Sequence, residues 1–306
     1  MKWGNKRVLV TGAAGFIGQN LVKRLLNEGA YVIAFDKFIY AKKDSIPKSV
    51  KKIVSGDVMN RKDLIRVKDV DYVFHFGSPS SVILFNKNPE LCVHSTVCGF
   101  MSILEWGRQV GVNKLVYPSS GSVYGNTSLP QSEDMNPQPI NLYGVCKFTS
   151  ELMAKRYSDV VPNIGLRIFA GYGFNEEHKE EFASVVTLFL NSIARNKRPV
   201  IYGDGMQRRD FIYIDDIVDT ILAATERNVT GIVNVGSGKA YTFNDIIDII
   251  NHLLNKNIKP IYVEKPAKYI ENTWADITKL KEKLGINPLS LEEGIRKYIF
   301  AKELLK

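Results

Sequence analysis

The sequence predicts an α/β chain: a doubly wound parallel sheet with a smaller C-terminal lobe. Three observations carry that expectation. Short apolar, β-branched runs alternate with stretches of helical periodicity through the first half of the chain. A glycine-rich turn, Gly12-Ala13-Ala14-Gly15-Phe16-Ile17-Gly18, joins the first such run to the first helical stretch. Late in the chain, a helical pattern from Asp215 leads into Ile232-Val233-Asn234-Val235, a further buried-strand pattern that returns to the sheet. Such alternation implies parallel strands with ligands at their carboxyl ends.

Composition sets outer limits. The 306 residues are 45% hydrophobic and 24% charged, enough for a large core in one to two domains. No apolar run approaches the roughly 18 residues that span a bilayer, and no membrane partner is expected. Met1-Lys2-Trp3-Gly4-Asn5-Lys6-Arg7 leads into a strand without a signal-type apolar segment. Cys92, Cys98 and Cys146 make neither an even set nor a C-x-x-C pair, which predicts reduced thiols in a cytoplasm. His75, His94, His178 and His252 lack metal-ligand spacing, so no metal site is expected. The net charge of +9 comes from Lys and Arg spread along the whole length. A solvated surface, or attraction to an anionic phosphate-bearing small molecule, accounts for it better than nucleic acid.

The elements follow in order. Arg7-Val8-Leu9-Val10-Thr11 is a strand, and after the glycine turn Phe16, Ile17, Leu21, Leu25 and Leu26 recur at helical spacing. Strand, glycine turn and helix together read as a Rossmann-type phosphate site; the alternative, a plain β-α turn, loses ground to Asp36 at the end of the next strand. Gly12, Gly15 and Gly18 permit a tight turn, and Phe16 and Ile17 open the helix toward a pyrophosphate. A second strand from Tyr31 ends in Asp36, eighteen residues after Gly18. An acid there suits the hydroxyls of an adenosine ribose and repels a 2′-phosphate, favouring NAD over NADP, although Lys37 is adjacent. Lys52 to Asp57 reads as a third strand, with Asp57 either at an adenine amino group or serving as a turn or cap residue. Asp71 to Gly77 is a fourth, in which His75 is expected half-buried and not a base. At these strand ends Asp57, Val58, Phe76 and Gly77 join the candidates for the cofactor. Pro89 to Val110 is expected as one long amphipathic helix. Ser184 to Ile193 and Phe243 to Leu254 read as shorter ones.

The stretch from Tyr117 to Lys147 holds the candidate chemistry. A strand, Lys114 to Tyr117, delivers Ser119 and Ser120 to its carboxyl end. A helical pattern then opens at Tyr143, with Lys147 one turn on and on the same face. A tyrosine titrating near pH 10 becomes a usable base when a nearby ammonium favours its phenolate. The Tyr-x-x-x-Lys spacing recurs at Tyr298 and Lys302, where a solvated surface pair is expected.

Gly12-x-x-Gly15-x-x-Gly18, Ser119-Ser120-x-x-Val123-Tyr124-Gly125 and Tyr143-x-x-x-Lys147 together resemble the extended short-chain dehydrogenase/reductase family. Within it, the chain is most similar to the nucleotide-sugar epimerase and dehydratase branch. Gly203-Asp204-Gly205 through Arg209-Asp210-Phe211 to Asp215-Asp216, Asn234 to Gly238 and Trp274-Ala275-Asp276 resemble the later landmarks of that branch. The resemblance implies NAD as cofactor and a nucleotide-sugar substrate. It implies Tyr143 as general base, Lys147 on the nicotinamide ribose and lowering the Tyr143 pKa, and Ser120 hydrogen-bonded to the reacting oxygen. Arg209 would bind the substrate diphosphate, or with Arg208 be a surface pair, while Asp210 is structural. Dehydratases and decarboxylases carry acids after the serine, where this chain has Gly121 and Ser122. That difference favours a 4-epimerase acting on a UDP-hexose through a transient 4-keto sugar. The alternatives are a 4,6-dehydratase, a decarboxylase, a 4-keto reductase, or a non-catalytic NAD-binding regulatory protein.

Departures bear on substrate recognition and leave the redox centre as it is. Thr96 and Ala170 stand where relatives have Asn, and an arginine is missing near Lys265 and Lys268. Thr273 either leaves room for an N-acetyl group at the sugar's C2 or is purely structural. The substrate set is thus Ser120, Ser122, Tyr143, Ala170, Arg209 and Thr273. Residues 1–173 are expected to form the NAD-binding domain, with about 211–236 returning to it, and 174–306 mainly the substrate lobe. The resemblance implies that helices at 89–110 and 143–158 pair with their copies in a homodimer; the alternative is that their apolar faces are packed within one chain.

Overall fold

The computed structural model describes residues 2–227, 229–265 and 270–302. Lys268 lies outside the described residues. The chain runs β1 (Arg7–Thr11), α1 (Phe16–Asn27), β2 (Tyr31–Asp36), β3 (Lys52–Ser55), α2 (Arg61–Leu64), β4 (Tyr72–His75), α3 (Val82–Lys87), α4 (Pro89–Val93), α5 (Gly99–Val110), β5 (Lys114–Ser120) and α6 (Leu142–Tyr157). It continues through β6 (Asn163–Ile168), β7 (Ala170–Tyr172), α7 (Val185–Ala194), β8 (Val200–Tyr202), β9 (Arg208–Tyr213), α8 (Ile214–Glu226) and β10 (Gly231–Val235). The last elements are β11 (Ala240–Thr242), α9 (Phe243–Leu253), β12 (Ile261–Val263), α10 (Thr278–Leu284) and α11 (Leu291–Ala301).

Seven strands form one parallel sheet in the order β10-β6-β5-β4-β1-β2-β3. Their interiors are near-continuous apolar runs because helices cover both faces. One face packs Phe16, Leu21 and Leu25 of α1 and Ile217 and Ile221 of α8; the other packs Phe100, Ile103 and Leu104 of α5 and Ala154 of α6. The chain reverses direction across the sheet between β1 and β4, which opens a crevice at their carboxyl ends. Two smaller sheets, β11-β9-β7 and β12-β8, lie in the later part of the chain. No helix among the described residues is long and apolar enough to cross a membrane.

Three expectations are corrected. The segment from Pro89 to Val110 is helical in pieces: a π-helical turn over His94–Cys98 separates α4 from α5. Thr96 and Val97, β-branched and weak helix formers, sit in that widened turn. His75 is fully buried at 2% exposure, because β4 is a central strand covered on both sides. Tyr298 is no surface residue. It is 0% exposed in the core under α11, with the Thr187 hydroxyl donating to its phenol oxygen.

Candidate active site

The glycine turn leaves β1 with Gly12 at φ +67°, where a Cβ would stand 2.4 Å from the Phe76 carbonyl oxygen. A Cβ on Gly18 would meet the Gly12 oxygen at 2.0 Å, so α1 starts pressed against the turn. Gly15 caps the helix without a side-chain bond, and no acidic residue occupies the first turn. This bare helix start and the close backbone approach fit the pyrophosphate of a dinucleotide. The Asp36 carboxylate accepts the Ala14 N–H (2.9 Å) and the Phe38 N–H (2.7 Å), placing it at the edge of the turn. Asp57 accepts the Met59 N–H (2.9 Å), the turn role foreseen for it, and pairs with Lys37 at 2.7 Å. That pair engages the one cation adjacent to Asp36. Val58 is buried and packs against the spot where a Gly99 side chain would be. Phe76 lies over Gly12, and the Gly77 N–H donates to Thr11 Oγ1 (3.3 Å).

Ser120 ends β5, and its Oγ accepts the Ser122 N–H (3.1 Å) across the turn Gly121–Val123. The start of α6 comes close to this turn because Gly144 has no side chain. A Cβ there would lie 2.6 Å from the Ser122 carbonyl. Asn141 caps the helix, accepting the Gly144 N–H (2.8 Å). Tyr143 and Lys147 are therefore held against the end of β5, both buried. Lys147 Nζ donates to Ser78 Oγ (3.0 Å) and lies 5.7 Å from the Tyr143 ring centroid. The Phe85 ring meets Tyr143 edge-on at 5.4 Å.

The electrostatics differ from the expectation in one respect. Burial raises the Tyr143 phenol above its ordinary value, and the group opposing it is Ser120, through a hydrogen bond, rather than Lys147. Burial lowers Lys147 to about 8. His75, bonded to Thr11 Oγ1 at 2.8 Å, is lowered to about 3 by burial first and the Lys147 charge second, so it stays neutral. Ser78 and Phe85 were not foreseen. Ser78 follows a strand end, but no spacing marks it as a partner of Lys147.

The substrate candidates lie on several elements. Ser122 is half-buried beside Ser120, and Ala170 opens β7. Thr273 is buried, its N–H bonded to the Arg208 carbonyl (3.1 Å). Arg209 is half-buried and donates to the carbonyls of Glu271 (2.8 Å) and Ile270, while Arg208 is exposed. Arg209 thus braces the segment that leads to Thr273. Asp210 is structural, as expected. Its carboxylate collects the N–H groups of Ser237 (2.6 Å), Gly238 (3.0 Å) and Ala275 (3.1 Å), and burial raises it to about 6.

Residues 8–236 match the model of the NAD-dependent epimerase/dehydratase family. The UDP-glucuronate 4-epimerase of Thermodesulfobacterium geofontis is 32% identical over 308 residues, covering 95% of this chain and 94% of that one. A UDP-glucose 4-epimerase of Thermotoga maritima, solved with UDP-glucose, superposes with a TM-score of 0.93 at 28% identity, covering 98% of this chain and all of that one. The Thermus thermophilus UDP-glucose 4-epimerase in complex with NAD gives 0.87 at 27% identity, over 96% and 98% of the two chains.

Proposed function

Because the chain belongs to the NAD-dependent epimerase/dehydratase family and takes NAD as its cofactor, we propose that it is a nucleotide-sugar 4-epimerase acting on a UDP-hexose. The glucose/galactose pair or its N-acetyl forms are the candidate substrates. The observation that carries this reading is the turn after Ser120. Gly121 and Ser122 carry no carboxylate, and a Cβ on Gly121 would already press on the Phe169 ring at 3.1 Å. A 4,6-dehydratase needs an extra acid and base for its C5 and C6 protons, and decarboxylases of the family commonly carry a glutamate in this turn.

In the proposed reaction, Tyr143 accepts the proton of the sugar's C4 hydroxyl while Ser120 Oγ hydrogen-bonds the same oxygen as it becomes a carbonyl. NAD, held by the glycine turn, Asp36 and Lys147, would supply a reversible hydride acceptor for C4 while the 4-keto sugar turns in the pocket. Tyr143 gives its proton back to O4, so nothing is consumed. Lys147 holds the nicotinamide ribose, while the Ser120 hydrogen bond opposes the burial that raises the Tyr143 phenol. Phe85 and the α6 start exclude water from the phenol. Arg209 binds the diphosphate, with Thr273 and Ala170 beside the sugar. Asp57 with Val58, and Phe76 with Gly77, flank the adenosine and nicotinamide halves of the cofactor.

The enzyme works as a cytoplasmic homodimer in this reading. Val145 (43% exposed) and Leu152 (54%) leave apolar surface on α6, and the three cysteines are free thiols. The test is NMR of UDP-, dTDP-, GDP- and CDP-sugars incubated with the protein and no added cofactor. A 4-epimer forming from a UDP-hexose supports the proposal. No turnover across the panel sinks it, and NAD binding without chemistry on any sugar points to a regulatory protein.

A further inference from the structure

Tyr143, Lys147 and Glu151 stand four residues apart on α6 and share one stripe of the helix. All three are buried, at 9%, 3% and 5% exposure. The first two face the cleft. Glu151 faces the sheet, and the proposed reaction gives it no role.

Its carboxylate is tied to two strands at once. It accepts Arg167 Nε–H (2.9 Å) and Nη2–H (2.7 Å) from β6, and the Ser119 hydroxyl from β5. Ser119 pairs with Arg167 in the β5–β6 register, and Ser120 with Ile168, so the carboxylate is held one residue before Ser120. The Arg167 guanidinium also lies 4.7 Å from the Tyr124 ring, whose hydroxyl donates to Asn234 of β10 (2.7 Å). One helix and three adjacent strands therefore meet at this pair.

Stability alone is a poor reason for it. Desolvating two charges offsets most of their attraction, and an apolar pair of similar volume often holds a fold as well. A two-pronged guanidinium–carboxylate contact instead fixes distance and angle. Glu151 lies eight residues from Tyr143, about 12 Å along the helix axis. Over so short a rigid lever, a turn or slip of α6 at Glu151 is transmitted to the phenol.

We propose that Glu151, through Arg167 and Ser119, is a positioning residue that sets the rotation and height of α6 so that Tyr143 and Ser120 converge on one oxygen. The inference rests on the reading of Tyr143 as the base. The test compares Glu151→Gln and the double variant Glu151→Leu/Arg167→Leu with wild type in melting temperature, bound NAD, kcat, KM and the pH profile of kcat. Tyr143→Phe serves as the control.

Both variants should keep NAD and an unchanged KM but lose about 10- to 100-fold in kcat, the scale of a misplacement near 1 Å. The pH limb that vanishes in Tyr143→Phe should be displaced in Glu151→Gln. The double variant should regain melting temperature without regaining kcat. If Glu151→Gln does not fold, the double variant, which buries no charge, decides alone. Recovery of kcat together with melting temperature in the double variant, or wild-type kcat in Glu151→Gln, overturns the proposal. Wild-type turnover in Tyr143→Phe instead overturns the base assignment, whatever the Glu151 variants do.

Discussion

Gly18→Ala has a sign that propensity and packing dispute. Gly18 lies in the first turn of α1, where intrinsic preference makes Ala better than Gly by about 1 kcal/mol. On this backbone, however, the new Cβ falls 2.0 Å from the Gly12 oxygen and 2.8 Å from the Ala13 Cα. Ordinary contact begins at 3.4 Å, so helix and turn must part by 3.4 − 2.0 = 1.4 Å. Neither side yields easily, because both are backbone and Gly12 is itself wedged against Phe76. Overpacking costs about 1–3 kcal/mol, and at such an overlap the upper part of that range applies. After the helix preference is subtracted, a net loss of about 2 kcal/mol remains. At roughly 2.1 cal/mol/K of unfolding entropy per residue, that lowers the melting temperature of a 306-residue chain by about 3 °C. The displaced helix start should also weaken NAD binding, by roughly tenfold for each 1.4 kcal/mol lost there. Calorimetry gives the melting temperature, and titration calorimetry of the apoprotein gives NAD affinity. A variant that melts at or above wild type with unchanged NAD affinity refutes the close-approach account.

Tyr143→Phe should lower turnover by about 10²- to 10⁴-fold while the protein keeps its NAD, checked by the absorbance of cofactor released on denaturation. Loss of NAD along with turnover would mean the ring serves binding. Asp36→Asn, which has one acceptor oxygen where the carboxylate uses two, should keep only one of the Ala14 and Phe38 contacts and cut the preference for NAD over NADP by about tenfold, the size of one weakened charged hydrogen bond. An unchanged preference would remove Asp36 from cofactor choice. Lys147 is held at about 8 against an unfolded value of 10.5, so between those values the unfolded chain binds the extra proton and stability rises with pH. Relative to Lys147→Met, apo wild type should gain stability over that window, by about 3 kcal/mol at its upper end. A flat or falling difference contradicts the burial assigned to the ammonium.

The parallel sheet was legible because its strands are buried on both faces and read as unbroken apolar runs punctuated by glycine. The glycine turn and Asp36 were legible for a related reason: their spacing is imposed by one strand, one turn and one helix. Helical periodicity put Tyr143 and Lys147 on one face, and the glycine turn, Asp36 and the serine strand end set that pair apart from Tyr298 and Lys302. What escaped depends on tertiary proximity. Ser78 reaches Lys147 across 69 positions in sequence, and nothing local marks it. Phe85 belongs to α3, a short helix following Pro79 and a run of serines that reads as loop. Tyr298 looked solvated beside Lys302, since periodicity cannot tell whether another element covers a face. The Tyr143 electrostatics also escaped, because Tyr-x-x-x-Lys reports that two groups are near and not how deeply they are buried. Glu151, at the same four-residue step beyond Lys147, was visible in principle as a third residue of the stripe. Its partner Arg167 lies on another element, so its purpose was not.

The claim that matters most is that a hydride leaves C4 and returns to C4 within one closed site. UDP-glucose carrying deuterium at C4 tests it, with the product followed by NMR. The account predicts a 4-epimer that keeps its deuterium at C4, no label in solvent and no accumulation of reduced cofactor. Deuterium appearing at C6 or in water, or reduced cofactor building up with product, contradicts it.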